Sequence, residues 1–390
     1  MIKKATHQQT KLHNRDLVLR TIFGQETISR ADVARVTGLT RTTVSESVAG
    51  LLNEGLIREV GFGTSLGGKN PILLSVAADS RYLIGLNLAQ DKFIGAVVNL
   101  RGEIKETVEL PVPNQNGEDA LQLVYEIFDQ LLKKNWKPIV GIGVGAPGLV
   151  DTSAGVVVNA VNLDWRDLPL AHLLESRYGY PVTVLNDSQA TAIGEYWYGG
   201  EHNQDGNLVV VNLKYGIGAG ILINGKLFQG DGGGAGEIGH IVVQENGKLC
   251  RCGKYGCLET VASIRAVLSQ MQINHPEMDS LDAIQSAFQS GDSTARQIVL
   301  DAGRSLGNVL ASLISTLNIQ KIVLTGDMSC FGEDWLESVK QAMQKGTLTR
   351  MAESTQLELG KLDYRACILG ASAFLLLDGY SLLFMGAEEN

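Results

Sequence analysis

The sequence predicts an α/β protein with a winged helix-turn-helix at its amino terminus and two similar α/β lobes after it. Three observations lead to this fold class: short helices around a glycine turn near the start, a strand pattern that occurs twice about 125 residues apart, and a length of 390 residues, which exceeds one ordinary core. We expect the winged helix at residues 1–76, the first lobe at 80–198 plus 371–390, and the second lobe at 199–370.

Charge is divided unevenly along the chain. The whole chain has 33 Lys and Arg against 42 Asp and Glu, whereas residues 1–75 have a net charge of +4. A basic head on an acidic body is typical of a nucleic-acid-binding module joined to another domain, and the 44% hydrophobic content excludes a disordered protein. We find no secretion signal and no apolar stretch long enough for a membrane, so we expect a cytoplasmic protein.

The head has helical apolar spacing with short breaks. We expect a first helix from Asn14 to Gly24, a second that Ser29 caps, and a third that Thr40 caps and that ends before Gly55. The second and third helices flank a glycine turn, which is the pattern of a helix-turn-helix. Apolar segments at 56–60 and 72–76 around a glycine-rich turn predict a hairpin wing.

The third helix turns a polar face away from its apolar stripe. Hydroxyl and guanidinium groups of this kind can contact base edges and phosphates in a major groove. A small helical bundle with a polar face is the alternative, but the wing, the positive charge and the terminal position favour operator DNA. Because one short helix reads few base pairs, we expect a homodimer, or a tetramer, on a two-fold site. The predicted DNA contacts are Arg41, Thr42, Thr43 and Ser45 on the helix and, for phosphates, Arg58 and Lys69.

The body reads as two copies of one strand pattern. Three antiparallel strands are expected over residues 82–110, then helix 118–134, strand 139–146, a helix near 168–178 and strand 182–186. The strand-turn-strand-glycine pattern returns at 208–226, followed by a strand at 322–326 and a terminal helix over 371–377. Two such lobes predict a ligand cleft between them.

Four residues of the second lobe have the spacing of a closed metal site. His240, Cys250, Cys252 and Cys257 provide one imidazole and three thiolates, which is typical of structural zinc, one ion per chain. Thiols packed in a core are a weaker alternative because the loop between them is polar. Redox chemistry is a smaller one, since the spacing is C-x-C rather than C-x-x-C.

Polar residues near this loop match the hydroxyls of a sugar. Glu237 and Glu259 flank the metal loop, and Asn186 and Asp187 follow a buried strand. Together with His240 they predict a ring of hydrogen-bonding groups for a polyhydroxylated ligand.

These residues resemble the ROK family of repressors and sugar kinases over nearly the whole chain. Its long signature appears as Leu213-x-x-Gly216-Ile217-Gly218-Ala219-Gly220-Ile221, then Gly230, then Gly236-x-x-Gly239-His240, with the cysteine loop after it. The winged helix looks like that of the repressor branch, which includes xylose and amino-sugar repressors. The resemblance implies an actin-like, ribonuclease-H-like sugar-kinase fold for the two lobes. It also implies the sugar-binding set Asn186, Asp187, Glu237, His240 and Glu259.

Kinases of this family transfer a phosphate from ATP, and the sequence departs from their phosphate-binding turns. Asp187 matches their general base, but Asp91 stands in the first turn and Lys214-Tyr215-Gly216 replaces a glycine-rich second turn. The kinases also have a pair of glycines on the adenosine side of their site, and here Asp327 stands in place of the second glycine, after Gly326. Bulk and negative charge are wrong for bound phosphates, so we expect no enzymatic activity.

The function that follows is a sugar-responsive transcriptional regulator, a repressor of sugar uptake or catabolism genes that a free sugar releases from its operator. Two alternatives are a sugar kinase and a repressor controlled mainly by docking to a sugar-transport protein. The sequence leaves open whether the effector is a pentose, a hexose or an amino sugar.

Overall fold

The computed structural model describes residues 7–64, 70–112, 116–200 and 206–377. Lys69, one of the predicted phosphate contacts, lies outside these residues, as does the chain after residue 377. Within them the chain forms a winged helix and two five-stranded sheets, with a smaller three-stranded sheet beside the first.

The head forms a winged helix. Its elements are α1 (His7–Phe23), β1 (Ile28–Ser29), α2 (Arg30–Thr37), α3 (Arg41–Asn53), β2 (Ile57–Phe62) and β3 (Ile72–Val76). The predicted caps are confirmed: Ser29 Oγ accepts the Asp32 N–H and Thr40 Oγ1 accepts the Thr43 N–H, both at 3.2 Å. The predicted start at Asn14 is wrong, since α1 already includes His7. Polar helix formers before the buried residues extend the helix beyond its apolar face.

The first sheet has the strand order β11-β7-β4-β5-β6. Strands β4, β5 and β6 pair antiparallel, whereas β7 and β11 run parallel to β4, and helices connect them. The elements of this lobe are β4 (Tyr82–Leu88), β5 (Lys92–Asn99), β6 (Ile104–Pro111), α4 (Gly117–Leu132), β7 (Ile139–Ala146), β8 (Leu149–Asp151), β9 (Val156–Ala160), β10 (Trp165–Leu168), α5 (Leu170–Tyr178), β11 (Val182–Asn186) and α6 (Asp187–Tyr198).

The short strands β8, β9 and β10 were not predicted. They form their own antiparallel sheet between β7 and α5, so the predicted order βββαβαβ lacks them. Each has three to five residues, which is too short for an alternation of apolar and polar side chains to be visible.

The second sheet repeats the first, with the strand order β14-β13-β12-β15-β16. Again three antiparallel strands precede two strands parallel to the first of them, which confirms the internal repeat. The elements are β12 (Leu208–Leu213), β13 (Ile217–Ile223), β14 (Lys226–Leu227), α7 (Glu259–Ala262), α8 (Ile264–Asn274), α9 (Leu281–Ser290), α10 (Ser293–Leu317), β15 (Lys321–Thr325), α11 (Gly332–Lys345), α12 (Thr349–Ser354), β16 (Gln356–Leu359) and α13 (Arg365–Leu377).

The last helix of each lobe crosses to the other. Helix α6 follows the first sheet but packs on β12 and β13, and α13 follows the second sheet but packs on β4 and β7. The two helices approach so closely that a side chain at Gly194 would collide with the Ala366 carbonyl, and one at Gly370 with the Ala190 carbonyl. The predicted terminal helix begins at Arg365 rather than at residue 371. Among the residues that the structure describes, no helix has both the length and the apolar composition of a membrane span.

Candidate functional site

A cavity of about 400 Å³ lies between the two lobes. Strand ends of both sheets border it, Asn186 at the end of β11 and Asn212 near the end of β12. All five predicted sugar-binding residues line this cavity: Asn186, Asp187, Glu237, His240 and Glu259. Residues far apart in sequence therefore meet in one cleft, at the carboxyl ends of parallel strands, where open α/β sheets bind ligands.

Asn186 and Asp187 are placed by the start of α6. Asn186 Oδ1 caps the helix by accepting the N–H groups of Ser188 at 2.9 Å and Gln189 at 3.2 Å, while Nδ2 donates to the Gly148 carbonyl at 2.9 Å. Asp187 Oδ1 accepts the Ser188 N–H at 2.8 Å. Burial raises the pKa of Asp187, and the nearby Lys214 charge opposes that shift. Asn186 is chiefly an anchor, whereas Asp187 presents a rigid carboxylate to the cavity.

Two more carboxylates face Asp187 from the second lobe. Burial raises the pKa of Glu237 to about 7, and the charges of Asp187 and Glu259 add to this shift. Glu259 Oε2 accepts the Ile217 N–H at 3.3 Å, and its Oε1 lies 4.0 Å from the Arg265 guanidinium. The cleft thus holds three acceptors that hydroxyl groups of a ligand can satisfy.

The four predicted metal ligands converge. The Cys250 Sγ lies 3.6 Å from His240 Nδ1, the Cys252 and Cys257 sulfurs are 3.6 Å apart, and all four ligand atoms lie within 4.8 Å of one another. In a tetrahedral zinc site with bonds of about 2.3 Å to sulfur and about 2.1 Å to nitrogen, ligand atoms are about 3.6–3.8 Å apart. The cluster can therefore hold a metal ion. Gly256 has a φ of +75°, and a side chain there would collide with the Gln244 carbonyl, so the loop requires glycine.

His240 faces both the metal cluster and the cleft. Its Nδ1 points to the cysteines, and its Nε2 lies 3.8 Å from Glu237 Oε2. A metal bound at Nδ1 leaves Nε2 as the protonated nitrogen on the cleft side. The metal loop and the carboxylate ring are therefore parts of one site.

Helix α3 presents the predicted polar face of the head. Arg41, Thr42 and Ser45 are exposed and Thr43 is half-buried, while Val44, Val48 and Leu51 are buried. Thr43 shares a 2.9 Å hydrogen bond with Thr40 at the helix cap, so its hydroxyl is partly used within the head. Arg58 is exposed on β2.

Comparison with known proteins identifies the architecture. The model of the ROK family matches residues 83–377, which is most of the chain. The chain belongs to the ROK family. A putative xylose repressor from Caldicellulosiruptor sp. (strain Rt8B.4) is 34% identical to it, over 95% of this chain and 97% of that protein.

Two solved structures of the ROK family resemble this chain, a transcriptional regulator over nearly its whole length and a glucokinase over the two lobes. A ROK family transcriptional regulator, a homologue of the E. coli MLC protein, has a TM-score of 0.79 and 27% identity, covering 93% of this chain and 94% of that one. A ROK family glucokinase from Streptomyces griseus in complex with glucose and AMPPNP has a TM-score of 0.68 and 29% identity, covering 75% of this chain and 98% of that one. The predicted family, repressor branch and fold class, with actin-like lobes after a winged helix, are confirmed.

The ROK residues that depart from the kinase pattern line the same cavity. Asp91 lies in the turn between β4 and β5, Lys214 and Tyr215 between β12 and β13, and Asp327 directly after Gly326. Burial raises the pKa of Asp327, and the Asp91 charge adds to the shift while Lys214 opposes it. This half of the cleft therefore holds two carboxylates and one lysine close to one another.

Two contacts across the cleft were not predicted. Arg251, between Cys250 and Cys252, donates to Asn162 in the turn between β9 and β10. Arg265 on α8 donates to Gln90 Oε1 at 3.0 Å. No sequence signal indicates either pair, because the partners are 89 and 175 residues apart. These two hydrogen bonds join the second lobe to the first at two borders of the cavity.

Proposed function

We propose that the protein is a transcriptional repressor that a free sugar releases from its operator. One observation carries this proposal: a single chain joins a winged helix to a cleft that is lined by three carboxylates and an imidazole. The other half of that cleft departs from the nucleotide-binding pattern of the kinases. The similarity to a putative xylose repressor and to a ROK transcriptional regulator supports it. Operator DNA as the partner also means that the protein acts in the cytoplasm.

The sugar half of the cleft suits neutral hydroxyls. Asp187, Glu237 and Glu259 accept hydrogen bonds, and the Nε2 of His240 donates once a metal holds Nδ1. Hydrogen bonds to charged groups contribute about 1.5–3 kcal/mol each. A phosphorylated sugar would bring negative charge among these carboxylates, so the proposed effector is the free sugar.

Zinc is the metal that we propose for the cysteine cluster. Three thiolates and one imidazole in a tetrahedral arrangement favour zinc, and a set with four protein ligands has no open position for catalysis. Its role is to fix the loop that carries His240 and Arg251, and thereby the second-lobe side of the sugar site.

A sugar kinase is the second candidate, which Asp187 and the similarity to a glucokinase favour. Against it, ATP phosphates would meet the Asp91 and Asp327 carboxylates and the bulk of Tyr215. We therefore propose that the chain has no kinase activity.

One experiment tests both candidates. Purified protein is bound to the DNA upstream of its own gene, and D-xylose, D-glucose, N-acetyl-D-glucosamine and their phosphates are titrated in, with sugar-dependent ATP turnover measured in parallel. We expect one free sugar to weaken DNA binding by about 5- to 150-fold, the usual range of allosteric coupling. Turnover of the order of 1–100 per second would instead establish a kinase.

The winged helix gives a separate prediction. Arg41→Ala should weaken specific operator binding by about 1–3 kcal/mol, because a guanidinium at the start of α3 can contact base edges, while binding to unrelated DNA changes less. Electrophoretic mobility shifts with operator and scrambled DNA measure both affinities. Arg35→Ala is the control: it removes an exposed arginine from α2, where it pairs only with Asp32 among the described residues. Unchanged operator affinity in the Arg41 variant would show that α3 is not the recognition helix.

A further inference from the structure

Helix α6 connects the sugar cleft to a distant part of the first lobe. Its first residue is Asp187 in the cavity, and its body packs on the second sheet. A side chain at Gly218 would collide with Ser188, and one at Gly220 with Ala192, so no space is left between α6 and β13. This packing couples α6 to the second sheet, while α13 and the Gly148 carbonyl also hold it against the first lobe, so a movement of one lobe relative to the other acts on α6.

The other end of α6 touches the turn between β5 and β6. The Tyr198 ring lies directly over Gly102, where φ is +78° and any side chain would overlap the ring. Burial raises the pKa of Tyr198 to about 12, and the charge of Arg101, the residue before Gly102, opposes that shift. A helix that packs on the second sheet thus contacts a turn of the first lobe.

Arg101 in turn is bonded to the winged helix. Its guanidinium donates to the carbonyls of Phe23 and Gln25, each at 2.8 Å, and lies 5.6 Å from the centre of the Phe23 ring. These carbonyls lie at the carboxyl end of α1, where a cation is favoured by the helix dipole. Because α1 packs on α3, a displacement of Arg101 reaches the DNA-contacting face.

The remainder of the junction between head and lobe is apolar. Leu83, Leu100 and Val140 of the first lobe belong to the same buried cluster as Val18 and Leu56 of the head. Such a core holds the head in place on the lobe and permits small reorientations rather than release. The Arg101 contact lies at the edge of this junction, where a shift of the turn changes the angle of the head.

We propose that Arg101 is the positioning residue that transmits sugar binding to the winged helix, through displacement of the turn that carries it by Tyr198 at the end of α6. The inference rests on the proposed function. Sugar binding favours one arrangement of the lobes, α6 moves with the second sheet, and the bond from Arg101 to α1 turns this movement into a reorientation of α3. The coupling is a difference in sugar affinity between two arrangements of the head.

Arg101→Gln tests the proposal, since glutamine keeps a polar side chain but loses the charge and the paired donors. The probes are D-xylose, D-glucose and N-acetyl-D-glucosamine, and the measured quantity is the ratio of operator dissociation constants with and without each sugar. We expect the variant's ratio to fall below about threefold, from a wild-type value of about 5 to 150. Its sugar affinity without DNA and its operator affinity without sugar should stay within about threefold of wild type. Tyr198→Ala should lower the ratio in the same way.

Lys92→Gln is the matched control. It removes a cation from the same sheet, where Lys92 pairs with Glu109 away from the head, and should keep the wild-type ratio. An Arg101 variant that retains the wild-type ratio overturns the proposal, and so does one that loses operator binding without sugar, since the role is then merely structural. A wild-type protein that none of the three sugars releases overturns the proposed function itself, and this inference with it.

Discussion

Asp187→Asn is expected to weaken binding of the free sugar by about 10- to 150-fold, the equivalent of one lost charged hydrogen bond of about 1.5–3 kcal/mol. The carboxylate lies at the start of α6 in the cavity, facing Glu237 and Lys214. An asparagine keeps the oxygen that accepts the Ser188 N–H, so the helix start is preserved. Isothermal titration calorimetry with the releasing sugar measures the loss.

The same substitution should not destabilise the fold. Because burial raises the pKa of Asp187 above its unfolded value, the charged form is disfavoured in the folded protein at pH 7. Removing the charge therefore leaves the free energy of unfolding unchanged or larger, which thermal unfolding without sugar checks. Asp282→Asn, in the first turn of α9 and exposed, is the control and should change neither quantity. If the Asp187 variant bound the sugar with wild-type affinity, this cleft would not be the effector site.

Cys257→Ser is expected to abolish metal binding and to weaken sugar binding by at least about tenfold, as removal of supporting groups around a metal site does. Cys257 is fully buried and forms a β-bridge with Val242, and the carbonyl of the neighbouring Gly256 accepts the Val243 N–H at 2.8 Å. Structural zinc sites contribute about 10–16 kcal/mol of apparent binding free energy in small peptides, so we expect loss of the ion to unfold the loop that carries His240.

Elemental analysis and calorimetry measure these two effects. The wild type should hold one zinc per chain, and the Cys257 variant none. Cys330→Ser is the control, because Cys330 is partly buried outside the cluster and should leave metal content and sugar affinity as they are. A Cys257 variant with a full complement of zinc contradicts the assigned ligand set.

Local sequence signals predicted much of the fold. The caps at Ser29 and Thr40 depend on a hydrogen bond to a residue three positions on, and the two strand meanders on the alternation of neighbouring side chains. Elements with weak local signals were missed. The strands β8, β9 and β10 are too short for a pattern, and the polar start of α1 has no apolar face.

The sequence by itself determined the winged helix, the repeated lobes, the metal loop and the family, because each is encoded by residues within a few positions of one another or by a motif of fixed spacing. Only the tertiary structure decided that α6 packs on the second sheet, that Arg251 and Arg265 reach across the cleft, and that Arg101 binds the end of α1. Arg101 and Phe23 are 78 residues apart, and their contact follows from the packing of whole elements. Packing between distant elements produces no local or periodic pattern in the sequence. The residues around Arg101 therefore look like those around any other arginine on a turn.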